Sequence, residues 1–156
     1  MTRLEILTAA DLMQRKLHTV ADDAPIEKAV RLLLEKGHAA APVVDKGGKL
    51  VGLVSEHDCV RVLSEAIAER WPSGLVRNHM TTDLETVAPT EDILALATRF
   101  TQGRHRRLLV VENGQLVGLI ARRDLMRGLE AMEHSRAHGR SATTYELLDE
   151  RHRRLD

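Results

Sequence analysis

The most chemically loaded spacing in the chain occurs twice, as "GLVSEHD" at 52–58 and "GLIARRD" at 118–124. In the first stretch Ser55 and Asp58 stand three positions apart after an apolar run. A serine at a helix N-terminus lies among free backbone N–H groups, where the dipole favours an anion. An ionised aspartate accepts hydrogen bonds and donates none. The same spacing is also that of a capping box, in which Ser55 caps the helix and Asp58 returns a bond to the chain at Ser55. The second stretch separates the two accounts. Ala121, a poor N-cap, replaces the serine, yet Asp124 is kept, and Arg122 and Arg123 are added. An aspartate retained without its capping hydroxyl leans toward a ligand, although a first-turn aspartate also has dipole value. Arg104, Arg106 and Arg107 stand upstream. Their guanidinium forks suit phosphate and are equally at home on a solvated surface.

Other constellations are thinner. His134 and His138 share a helix face at metal-ligand spacing, with no third ligand evident. Cys59 falls near a helix N-terminus, a place that lowers a thiol pKa, but at a core-facing position. No phosphate-binding P-loop, nucleophile elbow, HExxH or paired-carboxylate arrangement is present, so the chain is not expected to be an enzyme.

The elements that must hold these residues are built from aliphatic side chains. The chain has 156 residues, 43% hydrophobic and 29% charged, with one Trp, one Tyr and one Phe, so Leu, Val, Ile and Ala make the core. A formal net charge of zero provides no global field for nucleic acid or an anionic membrane, and the scarcity of rings argues against base stacking. One cysteine permits no internal disulfide and fits a reducing compartment; with no signal-like or membrane-spanning run, a cytoplasmic location is expected.

The chain repeats. With Met13 placed on Met80, Thr19-Val20-Ala21 falls on Thr86-Val87-Ala88, Ile26 on Ile93, His38 on His105, and "APVVD" on "LLVVE". The turn "KGGK" then loses one residue to become "NGQ", and "LVGLVSEHDCV" sits on "LVGLIARRDLM". Each copy reads as a short strand, a helix, a hairpin and a second helix, that is β-α-β-β-α. Asp23 and Thr90 are the expected N-caps, with Pro25 in the first helical turn. The first helix carries Ile26, Ala29, Val30, Leu33 and Leu34 at helical spacing, and the second copy Ile93, Leu96, Ala97 and Phe100. Asn113-Gly114 is a hairpin turn signal. The second helices are expected over 57–70 and 123–133, with "WPSG" at 71–74 ending the first. This divides the chain into 1–72, 73–132 and a polar tail 133–156 with a short helix over "TTYELLDERHRRL".

Two β-α-β-β-α units, each ending in G-h-h-S/T-x-x-D, resemble a tandem pair of CBS domains, the arrangement called a Bateman module. The resemblance rests on 37–58 and 104–124 and extends over about residues 8–132. It implies an α/β (α+β) fold in which two repeats pack as a pseudo-twofold pair. It also implies an adenosine-containing ligand (AMP, ADP, ATP or S-adenosylmethionine) in the cleft between repeats. By the same resemblance Ser55 contacts ribose or phosphate and Asp58 accepts from ribose hydroxyls, and Ala121 and Asp124 occupy the matching places. Thr19, Val20, His38, Ala40 and Pro42 would line the base in the first repeat, with His57 near it. Thr86, Val87, His105, Arg107 and Leu109 correspond in the second, where Arg122 and Arg123 offer phosphate contacts. Ala121 and Leu109 depart from the family pattern, so the second site is either empty or adapted to a more phosphorylated ligand.

The expected function is therefore a non-catalytic regulatory module, with an adenine nucleotide as regulatory ligand and no cofactor, pairing into a homodimer. No effector domain is fused within these residues, so an effector protein in trans, or the tail, would read the ligand state. A dimerisation module with a vestigial site is the alternative. Nucleic-acid binding through Arg104–Arg107 and Arg122–Arg123 is a third reading, against which the zero net charge stands.

Overall fold

The computed structural model describes residues 6–66 and 74–138. In chain order these form α1 (Ala9–Leu12), β1 (Val20–Ala21), α2 (Ile26–Lys36), β2 (Ala40–Val44), β3 (Leu50–Ser55), α3 (Glu56–Ala66) and α4 (Val76–His79). The second copy continues with β4 (Thr86–Val87), α5 (Ile93–Gln102), β5 (Arg107–Glu112), β6 (Gln115–Ala121) and α6 (Arg122–His138). The β-α-β-β-α order is thus present twice, in a mixed α+β fold with two three-stranded sheets, β1-β2-β3 and β4-β5-β6. In the first sheet β1 runs parallel to β2 and β3 antiparallel to it. The turn between β5 and β6 is made by Asn113 and Gly114, at φ 51° and 78°, the left-handed pair that a two-residue hairpin of native twist requires.

Each repeat is preceded by a short lead-in helix, α1 or α4, that periodicity does not announce. These lead-ins are exchanged. Of the described residues, one compact unit comprises those within Leu17–Leu84 and Asn113–Leu116, and so includes α4; the other takes those before Leu17, Glu85–Glu112 and Val117 to His138, and so includes α1. In the early unit, Leu53 and Thr81 exchange backbone hydrogen bonds of 2.9 and 2.8 Å, which adds the chain after α4 to the edge of β3. In the late unit Gln14 and Leu119 do the same at 2.9 and 3.1 Å, along β6.

Each core is one sheet face covered by helices. Ala41, Val43 and Val54 meet Ile26, Ala29, Leu33, Val62 and Val76 in the early unit. In the late unit Leu108, Val110 and Ile120 meet Leu7, Leu12, Met13, Ile93, Leu96 and Phe100. The buried stripe of α2 is narrower than its apolar pattern, because Val30 and Leu34 lie on the helix flank and are exposed. The N-caps also differ from expectation. Pro25 and Asp92 occupy the cap positions, two residues beyond Asp23 and Thr90. Asp92 accepts from the Ala95 N–H at 2.9 Å. Pro25 has no side-chain acceptor to offer, and the first free N–H of α2, on Ile26, is satisfied by the carbonyl of Gly74 in the lead-in.

The glycine of each G-h-h-S/T-x-x-D stretch has a packing cause. A Cβ on Gly118 would stand 2.7 Å from Cβ of the buried Met13, and one on Gly52 would stand 2.9 Å from Cγ of Met80. Met13 Cβ is fixed by the main chain, whereas the Met80 side chain can swing. Gly118→Ala is therefore expected to cost about 1–3 kcal/mol, a fall in Tm of about 3–10 °C, and Gly52→Ala less. Thermal melts of the two variants check this, and an unchanged Tm for Gly118→Ala refutes it.

β2 and β5 are buried on both faces: Ala40 is 8% and Leu109 2% exposed, and Pro42 is buried as well. Ala41 and Val43 turn to their core, as do Leu108 and Val110. The intervening Ala40, Pro42, Arg107 and Leu109 therefore lie on the other face of each sheet. α3 is described to Ala66, so the helix end expected at 71–74 falls outside the described residues apart from Gly74. α6 runs beyond the expected 133 to His138, while the helix expected within the last residues of the tail lies outside the described residues. No helix among the described residues is long and apolar enough to cross a membrane.

Candidate functional site

In each repeat the hairpin's second strand runs straight into the second helix, and the motif aspartate sits in that helix's first turn. The structure gives both aspartates the same surroundings. Asp58 is 3% exposed and Asp124 is 2% exposed. Asp58 Oδ2 accepts from the Ser55 N–H and the Ser55 hydroxyl, each at 2.9 Å, and the Asp58 N–H donates to Ser55 Oγ at 3.1 Å. Its Oδ1 accepts from Arg61 at 3.1 Å, and the Thr81 hydroxyl lies 3.4 Å from both oxygens. Asp124 accepts from the Ala121 N–H at 2.7 Å, from Gln14 Nε2 at 3.2 Å and from Arg127 at 3.4 Å. The retention of Asp124 beside Ala121 thus has a local cause. Only one half of a capping box needs the serine hydroxyl; the other half joins the carboxylate to a backbone N–H, which every residue but proline supplies. Each aspartate also ties the second helix to the residue just past the exchanged lead-in, Thr81 or Gln14.

The remaining predicted residues divide into two groups. Ala40 pairs with Ser55 and Pro42 with Leu53 across the first sheet, so Ala40, Pro42 and Ser55 gather at one end of it. His38 and His57 are exposed beside that end, with Thr19 exposed just before β1, and the His38 ring lies 5.5 Å from that of His18. In the late unit Thr86 pairs with Leu109. Arg107 opens β5 and Ala121 closes β6, so both stand at the same sheet end, with Arg122 and Arg123 following and His105 half-buried just ahead of β5. Val20 and Val87 belong to the other group: their side chains are 4% and 3% exposed, within the hydrophobic cores. At those positions only the main chain is available to a ligand.

Cys59 follows its half-buried position rather than its place near a helix N-terminus. Burial pushes its pKa up, and the carboxylates of Asp58 and Glu56 add to the rise. Burial and the two anions in the same first turn all disfavour the thiolate. Alkylation of Cys59 by iodoacetamide at neutral pH is therefore expected to be several-fold slower than that of a free cysteine, with the rate still climbing at alkaline pH. A rate equal to the free thiol would overturn this. Among the described residues no group of three His, Cys, Asp or Glu is placed to hold a metal ion, and the side chain of His138 is not among those described.

Comparison with known proteins places these geometries. The CBS domain family matches the chain at residues 9–65 and 76–131. The crystal structure of CBSX2 in complex with AMP, a CBS-pair protein of Arabidopsis thaliana, is similar over 81% of this chain and 98% of that one, at 28% identity and TM-score 0.71. The uncharacterised protein MJ1225 of Methanocaldococcus jannaschii is 29% identical over 117 residues, 75% of this chain and 41% of that protein. A homoserine O-acetyltransferase of Methanococcoides burtonii is 34% identical over 121 residues, 77% of this chain and 24% of that protein. The chain thus spans well under half the length of these two relatives. With both β-α-β-β-α repeats matched, and with the paired glycine and aspartate of each in the same structural places, the chain belongs to the CBS domain family as a tandem pair of such domains.

Proposed function

We propose that the chain is a non-catalytic regulatory module, acting in the cytoplasm, that binds an adenosine-containing ligand at the ends of its two sheets. The observation that carries this is its likeness to CBSX2, a protein crystallised with AMP, over nearly the whole of that chain. In this reading the base lies against the faces bearing Ala40 and Pro42 or Arg107 and Leu109, beside Thr19 or Thr86. The ribose reaches Asp58 or Asp124. The bonds of those carboxylates to Thr81, at 3.4 Å, and to Gln14, at 3.2 and 3.4 Å, are their longest to uncharged donors. A ribose hydroxyl competes best with these. Because Thr81 and Gln14 close the exchanged lead-ins, ligand binding would change how firmly each lead-in is held. A partner protein acting in trans reads that change as a shift between two states.

A thermal-shift panel with AMP, ADP, ATP and S-adenosylmethionine tests the reading. A genuine ligand at 100 times Kd adds ~2.7 kcal/mol, a rise in Tm of roughly 5–10 °C. A flat response across the panel would remove the nucleotide reading.

One observation favours a second reading, in which the chain is chiefly a homodimerisation module. Val60 and Leu63 on α3 are 64% and 58% exposed, and their repeat equivalents Met126 and Leu129 on α6 are 68% and 64% exposed. The second helix of each β-α-β-β-α repeat thus presents an apolar pair at the same place, as a surface meant for another copy would. A dimer mass by light scattering, combined with a flat ligand panel, would favour this reading over the first.

A further inference from the structure

The two units carry opposite charge at equivalent places. At the end of the late sheet stand Arg104 and Arg106, leading into β5, then Arg107 as its first residue, and Arg122 and Arg123 as the first two residues of α6. In the repeat alignment the first copy has Gly37, Ala39, Ala40, Glu56 and His57 at these positions. Five guanidiniums thus replace a site whose one formal charge is negative.

These five are not the spare ends of ion pairs. Arg61, Arg77, Arg99 and Arg127 each have a carboxylate partner. Among the described residues, the side chains of Arg104, Arg106, Arg107, Arg122 and Arg123 have no hydrogen bond or ion pair. The carboxylate nearest to them in sequence, Asp124, is committed to the Ala121 N–H, Gln14 and Arg127. Gathered at one sheet end, five like charges repel one another until an anion arrives. A single phosphate, at about −1.5 to −2, leaves most of that charge unmatched. A chain of phosphates matches it, and guanidinium forks grip phosphate oxygens in pairs.

We infer that the sheet end of the late unit is a polyphosphate site, taking the phosphate chain of a nucleoside triphosphate, while the equivalent place in the early unit takes a nucleoside or monophosphate. This rests on the nucleotide reading above for the nucleoside part of the ligand. The phosphate part rests on the arginines alone.

The test is calorimetric titration of the full chain with AMP, ATP, inorganic tripolyphosphate and a short single-stranded RNA, repeated on the double variant Arg122→Gln/Arg123→Gln. Both residues are exposed, so the variant is expected to keep the wild-type melting temperature, which is checked first. In the wild type ATP should bind about tenfold or more tighter than AMP, as one or two charge-assisted contacts supply. High salt should shrink that margin. In the variant ATP should weaken to about the affinity of AMP, AMP should be unchanged, and tripolyphosphate should no longer compete with ATP. Equal binding of AMP and ATP, untouched by the variant, overturns the inference and leaves the nucleotide reading standing. Tripolyphosphate binding that the variant abolishes, with no nucleoside preference, upholds the phosphate site and removes the nucleotide reading. RNA binding that is tighter than ATP and lost in the variant overturns the inference in favour of a nucleic-acid surface. No binding of any probe overturns both.

Discussion

A chain that begins at Arg15 is expected to lose the folded structure of the unit built on β4, β5 and β6, although that sheet lies entirely in the second repeat. The reason is the exchanged lead-in. Leu7, Leu12 and Met13 are 0%, 1% and 4% exposed in the core that also contains Leu96, Leu108 and Ile120. Burying each contributes about 1.5–3 kcal/mol, together roughly 5–9 kcal/mol, which is comparable with the entire stability of a domain. Backbone partners go as well. Ala9 and Ala10 donate to the carbonyls of Glu91 and Pro89, and Leu7 accepts from the first N–H of α5, on Ile93. Hydrogen exchange should show loss of amide protection at Leu108, Val110 and Ile120 in the shortened chain. Retention of a wild-type melt within about 2 °C would show that the lead-in is dispensable.

Asp124→Ala is expected to be the most costly single change in the motif residues, by about 2–4 kcal/mol and a Tm fall of roughly 5–12 °C without ligand. It strips the acceptor from the Ala121 N–H and leaves Gln14 and Arg127 facing an empty place. Arg127 is partly solvated, which keeps the cost below that of a fully buried charge. Asp58→Ala should cost less, by about 1 kcal/mol, because Ser55 Oγ still accepts from the backbone N–H at position 58. Unfolding the two variants in urea checks the order, and Asp58→Ala proving the costlier would contradict this account. The result also governs ligand assays. Lost nucleotide binding in either alanine variant has meaning only beside its melt in the absence of ligand.

Much of this was legible in the residues. The repeat, the β-α-β-β-α order, the stripe of Ile26, Ala29 and Leu33 and the Asn113-Gly114 turn all rest on local patterns, and the structure has them. The lead-in exchange was not legible. A four-residue helix such as α1 shows no periodicity, and its partners stand far along the chain. The caps moved to Pro25 and Asp92 because the lead-in carbonyls of Gly74 and Leu7 meet the first helical N–H groups, a tertiary contact no propensity encodes. A two-residue strand is too short for alternation to tell which face Val20 or Val87 takes. The buried hold on Asp124 escaped notice because half of it is a backbone N–H, which residue types do not reveal.

The bond between Gln14 and Asp124 joins residues 110 positions apart. On the ribosome, at about 5–20 residues per second, the first of these emerges roughly 5–20 s before the second exists. During that interval Leu7, Leu12 and Met13 have no native surface to cover. Meanwhile the first repeat can close early, since Thr81 follows Asp58 by only 23 positions. Synthesis therefore leaves these apolar residues uncovered for a time, and the late unit closes only when a lead-in made early is captured by a helix made 110 positions later. A chaperone that holds short apolar segments would find its client in the stretch from Leu7 to Met13.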